Sequence, residues 1–303
     1  MANIPNPLPP GVTLRPGRGG LDCLFVDTEA CTGEIHLHGA HVTGWQPHGS
    51  APVVWMSGRS AFEPGKPIRG GVPICFPWFG PHPSDPSQPP HGFARLAAWT
   101  LDRVERDDGP REGGAVAVTL SLRTDAGQPH PWPHRCQLTF TATFGRELAL
   151  ELAVRNVGDA PCVVHEALHT YFSVGDIRQV AVEGLAGATF VDKMRGGDRF
   201  VQDATPIRFA GETDRVYLDT VAATTIVDAA LRRRIVIGKA GSQSTVVWNP
   251  WIAKAKAMPD FGDDEWPSMV CVETANVLDD ALTLPPGGEH RLKALIRVDA
   301  TPA

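Results

Sequence analysis

The 303-residue sequence contains no run of about 18 apolar residues, so a membrane-crossing helix is not expected. Its opening text, MANIPNPLPPGV, lacks a basic stretch followed by an apolar one, and no secretory signal is read there. Paired cysteines are missing too. The six cysteines (23, 31, 75, 136, 162 and 271) form no CxxC, and several sit in apolar text such as Ile74-Cys75-Phe76 and Val270-Cys271-Val272. That usage favours buried, reduced thiols in a cytoplasmic protein over disulfides or zinc–thiolate sites. Excess positive charge is absent: 28 Lys and Arg against 34 Asp and Glu give a net charge of −6. Nucleic acid is thereby disfavoured as a partner, although a local basic site for a small anion remains open. No GxSxG elbow, P-loop or GxGxxG pattern occurs, so serine hydrolases, P-loop nucleotidases and dinucleotide enzymes lack support. Helical periodicity is weak throughout, and no repeat of 20–50 residues is found.

What is present is glycine, proline and alternation. Thirty-one Gly and 28 Pro without a repeat period argue for many strands joined by turns. Residues 115–122 read AVAVTLSL, and residues 138–154 form two alternating runs around Gly145-Arg146-Glu147, the pattern of a hairpin. A second hairpin is expected between Thr224–Val227 and Arg234–Ile237. Further strands are expected at Ser244–Trp248, Met269–Glu273 and Arg291–Val298. The length alone would fit about two domains of roughly 100–200 residues. Yet strand-like text continues from about residue 20 onward with no long polar linker. The expected architecture is therefore all-β: one large antiparallel unit over residues 1–303, with few short helices and with residues 1–20 as an irregular N-terminal segment. The longest irregular stretch, Phe79–His91, is Pro-rich, and a long loop in a compact β unit is more often functional than a mere connection.

Several segments could carry chemistry. In PIRGGVPICFPWFG (67–80), Arg69 is the one charge and precedes two glycines. A guanidinium in apolar company needs an anionic partner, either a core carboxylate or a ligand. His91-Gly92-Phe93-Ala94-Arg95 follows the Pro-rich loop and offers a His and an Arg suited to a sugar or a phosphate, or to solvent. His165-Glu166-Ala167-Leu168-His169 matches the zincin text HExxH, whose chemistry requires a helix. Its flanks favour strand, and on a strand the two histidines lie about 13 Å apart, too far to share a metal. Glu273 ends the apolar run Met269-Val270-Cys271-Val272, where desolvation would raise its pKa toward that of a useful general base, or where it is a satisfied structural carboxylate. Glu212-Thr213-Asp214-Arg215-Val216-Tyr217 could hold sugar hydroxyls or form a turn. His36, His38 and His41 make a loose H-x-H-x-x-H, read as a structural strand and turn because Gly39 interrupts it. Both tyrosines of the chain, Tyr171 and Tyr217, fall inside these segments.

Taken in order, GAHVTGWQP (39–47), KPIRGGVPICFPWFGP (66–81), HGFAR (91–95), LHTYF (168–172), ETDRVY (212–217), VVWNPW (246–251) and MVCVETANV (269–277) resemble the aldose 1-epimerase (galactose mutarotase-like) superfamily. More closely they resemble its hexose-6-phosphate mutarotase branch. The resemblance implies a β-supersandwich and interconversion of the α and β anomers of a hexose 6-phosphate, with glucose 6-phosphate the expected substrate. It implies a catalytic histidine at His169 and a catalytic glutamate at Glu273. It also implies substrate binding through Arg69, Arg95, His91 and Asp214. Neither metal nor cofactor is implied, and a monomer with a small-molecule partner is expected. One departure is Pro90, where relatives often carry Gln before the HG dipeptide, so a contact through that side chain is not carried over.

Three other readings compete. A mutarotase of unphosphorylated aldoses would not need Arg69 and Arg95. A glycosidase would want two carboxylates astride the bond, and Glu273 has only Asp214 to offer. A non-catalytic sugar-phosphate-binding sandwich would tolerate loss of His169 or Glu273.

Overall fold

The computed structural model describes residues 7–109, 114–125 and 132–300. Strict alternation produces strands whose faces differ. Cys136–Phe144 places Leu138, Phe140, Ala142 and Phe144 in the core, with Gln137, Thr139, Thr141 and Thr143 on the half-buried face. It pairs with Leu148–Asn156, Phe144 opposite Leu148, and the Gly145 N–H donates to the Glu147 carbonyl to close the expected hairpin. The second hairpin also forms in the expected register, Thr224 opposite Ile237 and Val227 opposite Arg234.

These strands belong to a nine-stranded antiparallel sheet running from Ile207–Arg208 at one edge to Thr100–Asp107 at the other. An eight-stranded sheet carries Thr213–Leu218, Ser244–Asn249 and Met269–Asn276 at its centre, and a four-stranded sheet is built from residues 12–47. The largest cluster of core side chains draws on all three sheets, from Val12 to Ile296. Fully burying each large aliphatic or aromatic side chain contributes roughly 1.5–3 kcal/mol. The all-β expectation holds, with a single α-helix among the described residues, Trp251–Ala257.

The expected irregular segment over residues 1–20 is corrected in part. Residues 1–6 lie outside the described residues, but Val12–Pro16 is a strand paired with Asp22–Asp27. The run V-T-L is short and flanked by Gly and Pro, so its alternation is nearly invisible. Its edge position makes Pro16 tolerable, because an edge strand need not donate every N–H.

One buried polar group at the sheet junction gives a pH-dependent contribution to stability. Glu166 is fully buried, accepts from the Asn276 amide at 2.8 Å and forms an ion pair with His290 at 2.8 Å. The Glu166 carboxylate raises the His290 pKa above its ordinary 6.5. A raised imidazole stabilises the fold fully below about pH 6.5, and that stabilisation is lost as pH rises through the folded-state value. Thermal unfolding of the wild type and His290→Gln should therefore differ most near pH 6 and converge toward pH 9. A gap that widens with pH would contradict the pairing.

Candidate active site

The floor of the site follows from strand register. Met269–Asn276 is buried along its whole length. In it, Cys271 lies opposite Trp248 on one side and Tyr171 on the other, while Trp248 lies opposite Asp214. Paired residues share a face and so do residues two apart, so Asp214, Trp248, Cys271, Tyr171 and Glu273 all project to one side of the sheet. His169 sits between the strands Glu166–Leu168 and Tyr171–Ser173, its N–H bonded to the Pro73 carbonyl at 3.0 Å.

Loops make the walls. The Pro-rich stretch after Trp78 folds back on itself, with the Trp78 indole donating to the Pro89 carbonyl at 2.9 Å. Gly92 then passes so close to Phe76 that an added Cβ would lie 1.9 Å from the Phe76 carbonyl oxygen. Its φ of +73° is also one that L-residues rarely adopt, so glycine is required there. His38 and His41 bond through Nε2 to the carbonyls of Lys66 and Gly70, both at 2.8 Å. They fix the segment that carries Arg69, and burial pushes the His41 pKa down to about 3. For these two the structural reading of the histidine cluster stands.

All six residues singled out in the sequence, Arg69, His91, Arg95, His169, Asp214 and Glu273, line one cleft of about 530 Å³. At its base His169 Nε2 lies 3.2 Å from Glu273 Oε1. The imidazole stacks on Tyr171 with ring centroids 4.9 Å apart, and the edges of His91 and Trp248 approach it at 5.5 and 6.1 Å. Burial raises the Glu273 pKa well above the ordinary carboxylate value, the more so beside Asp214. Burial lowers that of His169 well below the ordinary imidazole value, reinforced by Arg95, Arg69 and Lys193. Both groups are thus held toward their neutral forms, with one proton between them. Glu273 Oε2 and His169 Nδ1 are buried without a hydrogen-bond partner. Such groups are costly in a finished core and ordinary where a polar ligand completes them.

The two arginines differ. Arg69 donates to Asp260 at 3.2 Å and to the Tyr171 hydroxyl at 2.9 Å, so it has the carboxylate partner that a buried guanidinium calls for. Arg95 is 6% exposed and, among the described residues, donates from Nη2 to the Pro90 carbonyl at 2.7 Å, while its Nε has no partner there. Among the described residues no carboxylate lies within 4 Å of it. A buried, unpaired guanidinium is expensive unless an anion joins it. Pro90 thus contributes its backbone carbonyl.

His91 Nδ1 accepts from the Gly80 N–H at 3.4 Å and lies 3.6 Å from Cys75 Sγ. Burial holds this imidazole neutral, so its proton sits on Nε2. Asp214 is engaged by Lys193 at 3.1 Å. Lys193, Lys254, Tyr171 and Trp248 also line the cleft. No sequence signal marks Lys193 or Asp260, because only the folded chain brings them near the motifs.

The HExxH text dissolves in three directions. His165 Nδ1 accepts from the Phe79 N–H, Glu166 turns to His290, and only His169 reaches the cleft. Glu166–Leu168 is a strand, as expected. His169, Cys271 and Glu273 have ligand atoms within 4.8 Å of one another, a spacing that could gather a cation. The positive charge of Arg69, Arg95 and Lys193 around His169 opposes one.

A family model described as aldose 1-epimerase matches residues 23–297. A protein of Escherichia coli K12, provisionally named a glucose-6-phosphate 1-epimerase, is 39% identical over 256 residues, covering 84% of this chain and 83% of its own. A protein of Cenchrus ciliaris with the same provisional name is 37% identical over 265 residues, covering 86% of this chain and 79% of its own. The crystal structure of a provisionally named mutarotase from Salmonella typhimurium has a TM-score of 0.89 at 33% identity and covers 99% of this chain and 97% of that one. On these matches the chain belongs to the aldose 1-epimerase family and is an isomerase of that kind.

Proposed function

We propose that this protein interconverts the α and β anomers of a hexose 6-phosphate, with glucose 6-phosphate as the first substrate to test. The observation that carries the reading is the buried His169–Glu273 pair at 3.2 Å, set in the same cleft as buried Arg95, which has no carboxylate partner among the described residues. In this reading one member of the pair takes the proton of the C1 hydroxyl and the other delivers a proton to the ring oxygen. The C1–O5 bond breaks, the C1 hydroxyl oxygen becomes the aldehyde carbonyl, and rotation about C1–C2 presents its other face. Reclosure returns both protons, so no oxidant, reductant or co-reactant is consumed.

The single proton held by the pair suffices, because protonated Glu273 with neutral His169 holds as many protons as the carboxylate with imidazolium. Arg95 and Arg69 engage the phosphate, remote from C1, and supply binding energy that positions the sugar. His91 and Asp214 contact the ring hydroxyls.

Exchange NMR of glucose 6-phosphate and glucose, each with and without the protein, tests this directly. Anomer exchange of the phosphorylated sugar should be accelerated about tenfold or more beyond that of glucose at equal concentration, the effect of one charge-assisted hydrogen bond. Equal acceleration of both would remove the phosphate from the assignment, and no acceleration of any hexose or hexose phosphate would remove the activity.

A further inference from the structure

His38 and His41 are explained by the carbonyls they bond; His36 is not. It is 1% exposed, and its Nδ1 has no hydrogen-bond partner among the described residues. His36 ends the strand Cys31–His36 and lies directly opposite Cys23 on Asp22–Asp27. Glu34, two residues earlier on the same strand, shares its face. All three project away from Leu24, Val26 and Ile35, which pack into the core. Ligand atoms of Cys23, Glu34 and His36 lie within 4.8 Å of one another.

We propose that Cys23, Glu34 and His36 form a zinc(II) site on the outer face of the four-stranded sheet, with water as the fourth ligand. The inference is independent of the reaction proposed above.

The donor set is one sulfur, one nitrogen and one oxygen, which suits a borderline-soft, tetrahedral ion better than a hard one. Around zinc, ligand atoms sit roughly 3.3–3.8 Å apart, so these side chains need to draw in by about 1.5 Å at most. On binding, the Cys23 thiol gives up its contact with the Leu24 carbonyl at 3.5 Å, while the other two ligands are already held in place. Thr43 Oγ1 donates to Glu34 Oε2 at 3.3 Å, leaving the other carboxylate oxygen free and supplying the outer-shell bond that ligating carboxylates usually have. The His36 ring packs against Phe62 at 5.3 Å. Gly17 packs directly on two of the three: a Cβ there would lie 2.7 Å from the His36 ring and 2.8 Å from Cys23 Cβ, so any other residue would displace them.

Access is from the Glu34 side, which lines a surface hollow of about 840 Å³. Arg15 and Arg18 lie nearby, over the Phe25 and Phe62 rings at 3.7 and 4.3 Å, and their charges bear on Cys23 and His36; a Cys23 thiolate and the Glu34 carboxylate set two negative charges against these two positive ones. On binding, the Cys23 thiol proton passes to the buffer and the thiolate forms the bond to the metal, with no change of oxidation state.

Cobalt(II) is the probe. Chelator-treated protein titrated with Co²⁺ should take up about one equivalent and develop a near-ultraviolet thiolate-to-cobalt band, which Zn²⁺ then displaces. Cys23→Ala should abolish the band, and Cys271→Ala should leave it intact. Glu34→Gln, at a half-buried position and the safer variant for folding, should weaken Co²⁺ binding by about tenfold or more. The absence of a band in the wild type overturns the proposal. So does a band that persists in Cys23→Ala or disappears in Cys271→Ala, the latter placing the metal in the catalytic cleft. If Cys23→Ala does not fold, unchanged affinity in Glu34→Gln overturns it alone.

Discussion

Glu273→Gln is expected to slow enzyme-driven anomer exchange of glucose 6-phosphate by about 10²–10⁴-fold, the usual contribution of one well-placed acid–base group. Glutamine has the shape of the protonated carboxyl that burial favours at this position, and its amide can donate to His169 Nε2 across the 3.2 Å gap. Folding should therefore survive, and the loss should appear in kcat rather than in thermal stability. His169→Gln should cost a similar factor. The double variant should be little worse than either single one, because the two residues hand one proton back and forth and fail as a unit. Rates come from exchange NMR or polarimetry, and folding from thermal unfolding. Wild-type turnover in both single variants would refute the acid–base assignment. Additive losses would show two independent groups rather than a pair.

The second large effect concerns binding. Arg95→Met should raise KM for the phosphorylated sugar by about 10–100-fold, which is the loss of a charge-assisted hydrogen bond of roughly 1.5–3 kcal/mol. Any activity on free glucose should change little. Stability should be unchanged or higher, since the substitution removes a buried charge that lacks a carboxylate partner. Arg69→Met should behave differently. It leaves Asp260 and the Tyr171 hydroxyl without their donor, so both KM and the melting temperature should suffer. Parallel KM values and melting curves for the two variants separate an arginine reserved for ligand from one shared with the fold. Identical KM effects on glucose and glucose 6-phosphate would remove the phosphate role from Arg95.

Much of this was legible in the chain text, for identifiable reasons. Period-two alternation survives folding unchanged because one face of Cys136–Phe144 meets the core and the other does not, and both hairpins formed in the expected register. Val12–Pro16 escaped because three apolar-polar positions between Gly and Pro do not make a pattern. The HExxH text misleads only while its period is ignored, since a strand sends its residues to different partners. Arg69 illustrates a different limit. Its apolar surroundings require an anionic partner, but the choice between a protein carboxylate and a ligand depends on Asp260, 191 residues away.

The opening absences set the outline: no apolar span, no paired cysteines, no nucleotide-binding glycine pattern, and no basic excess. With the alternating runs and seven ordered motifs they determined an antiparallel β protein of the aldose 1-epimerase kind, and they named His169 and Glu273 as the residues to examine. These are local properties, written in neighbouring residues and their period. Tertiary structure alone decided which charges are spent and which are free. It gave Arg69 to Asp260 and left Arg95 with no carboxylate partner among the described residues, brought Lys193 to Asp214, and set His36 against Cys23 while tying His38 and His41 to carbonyls. Charge and hydrogen-bond partnership is a matter of distance in space, and burial sets its strength. Neither is a property of a residue and its neighbours in the chain.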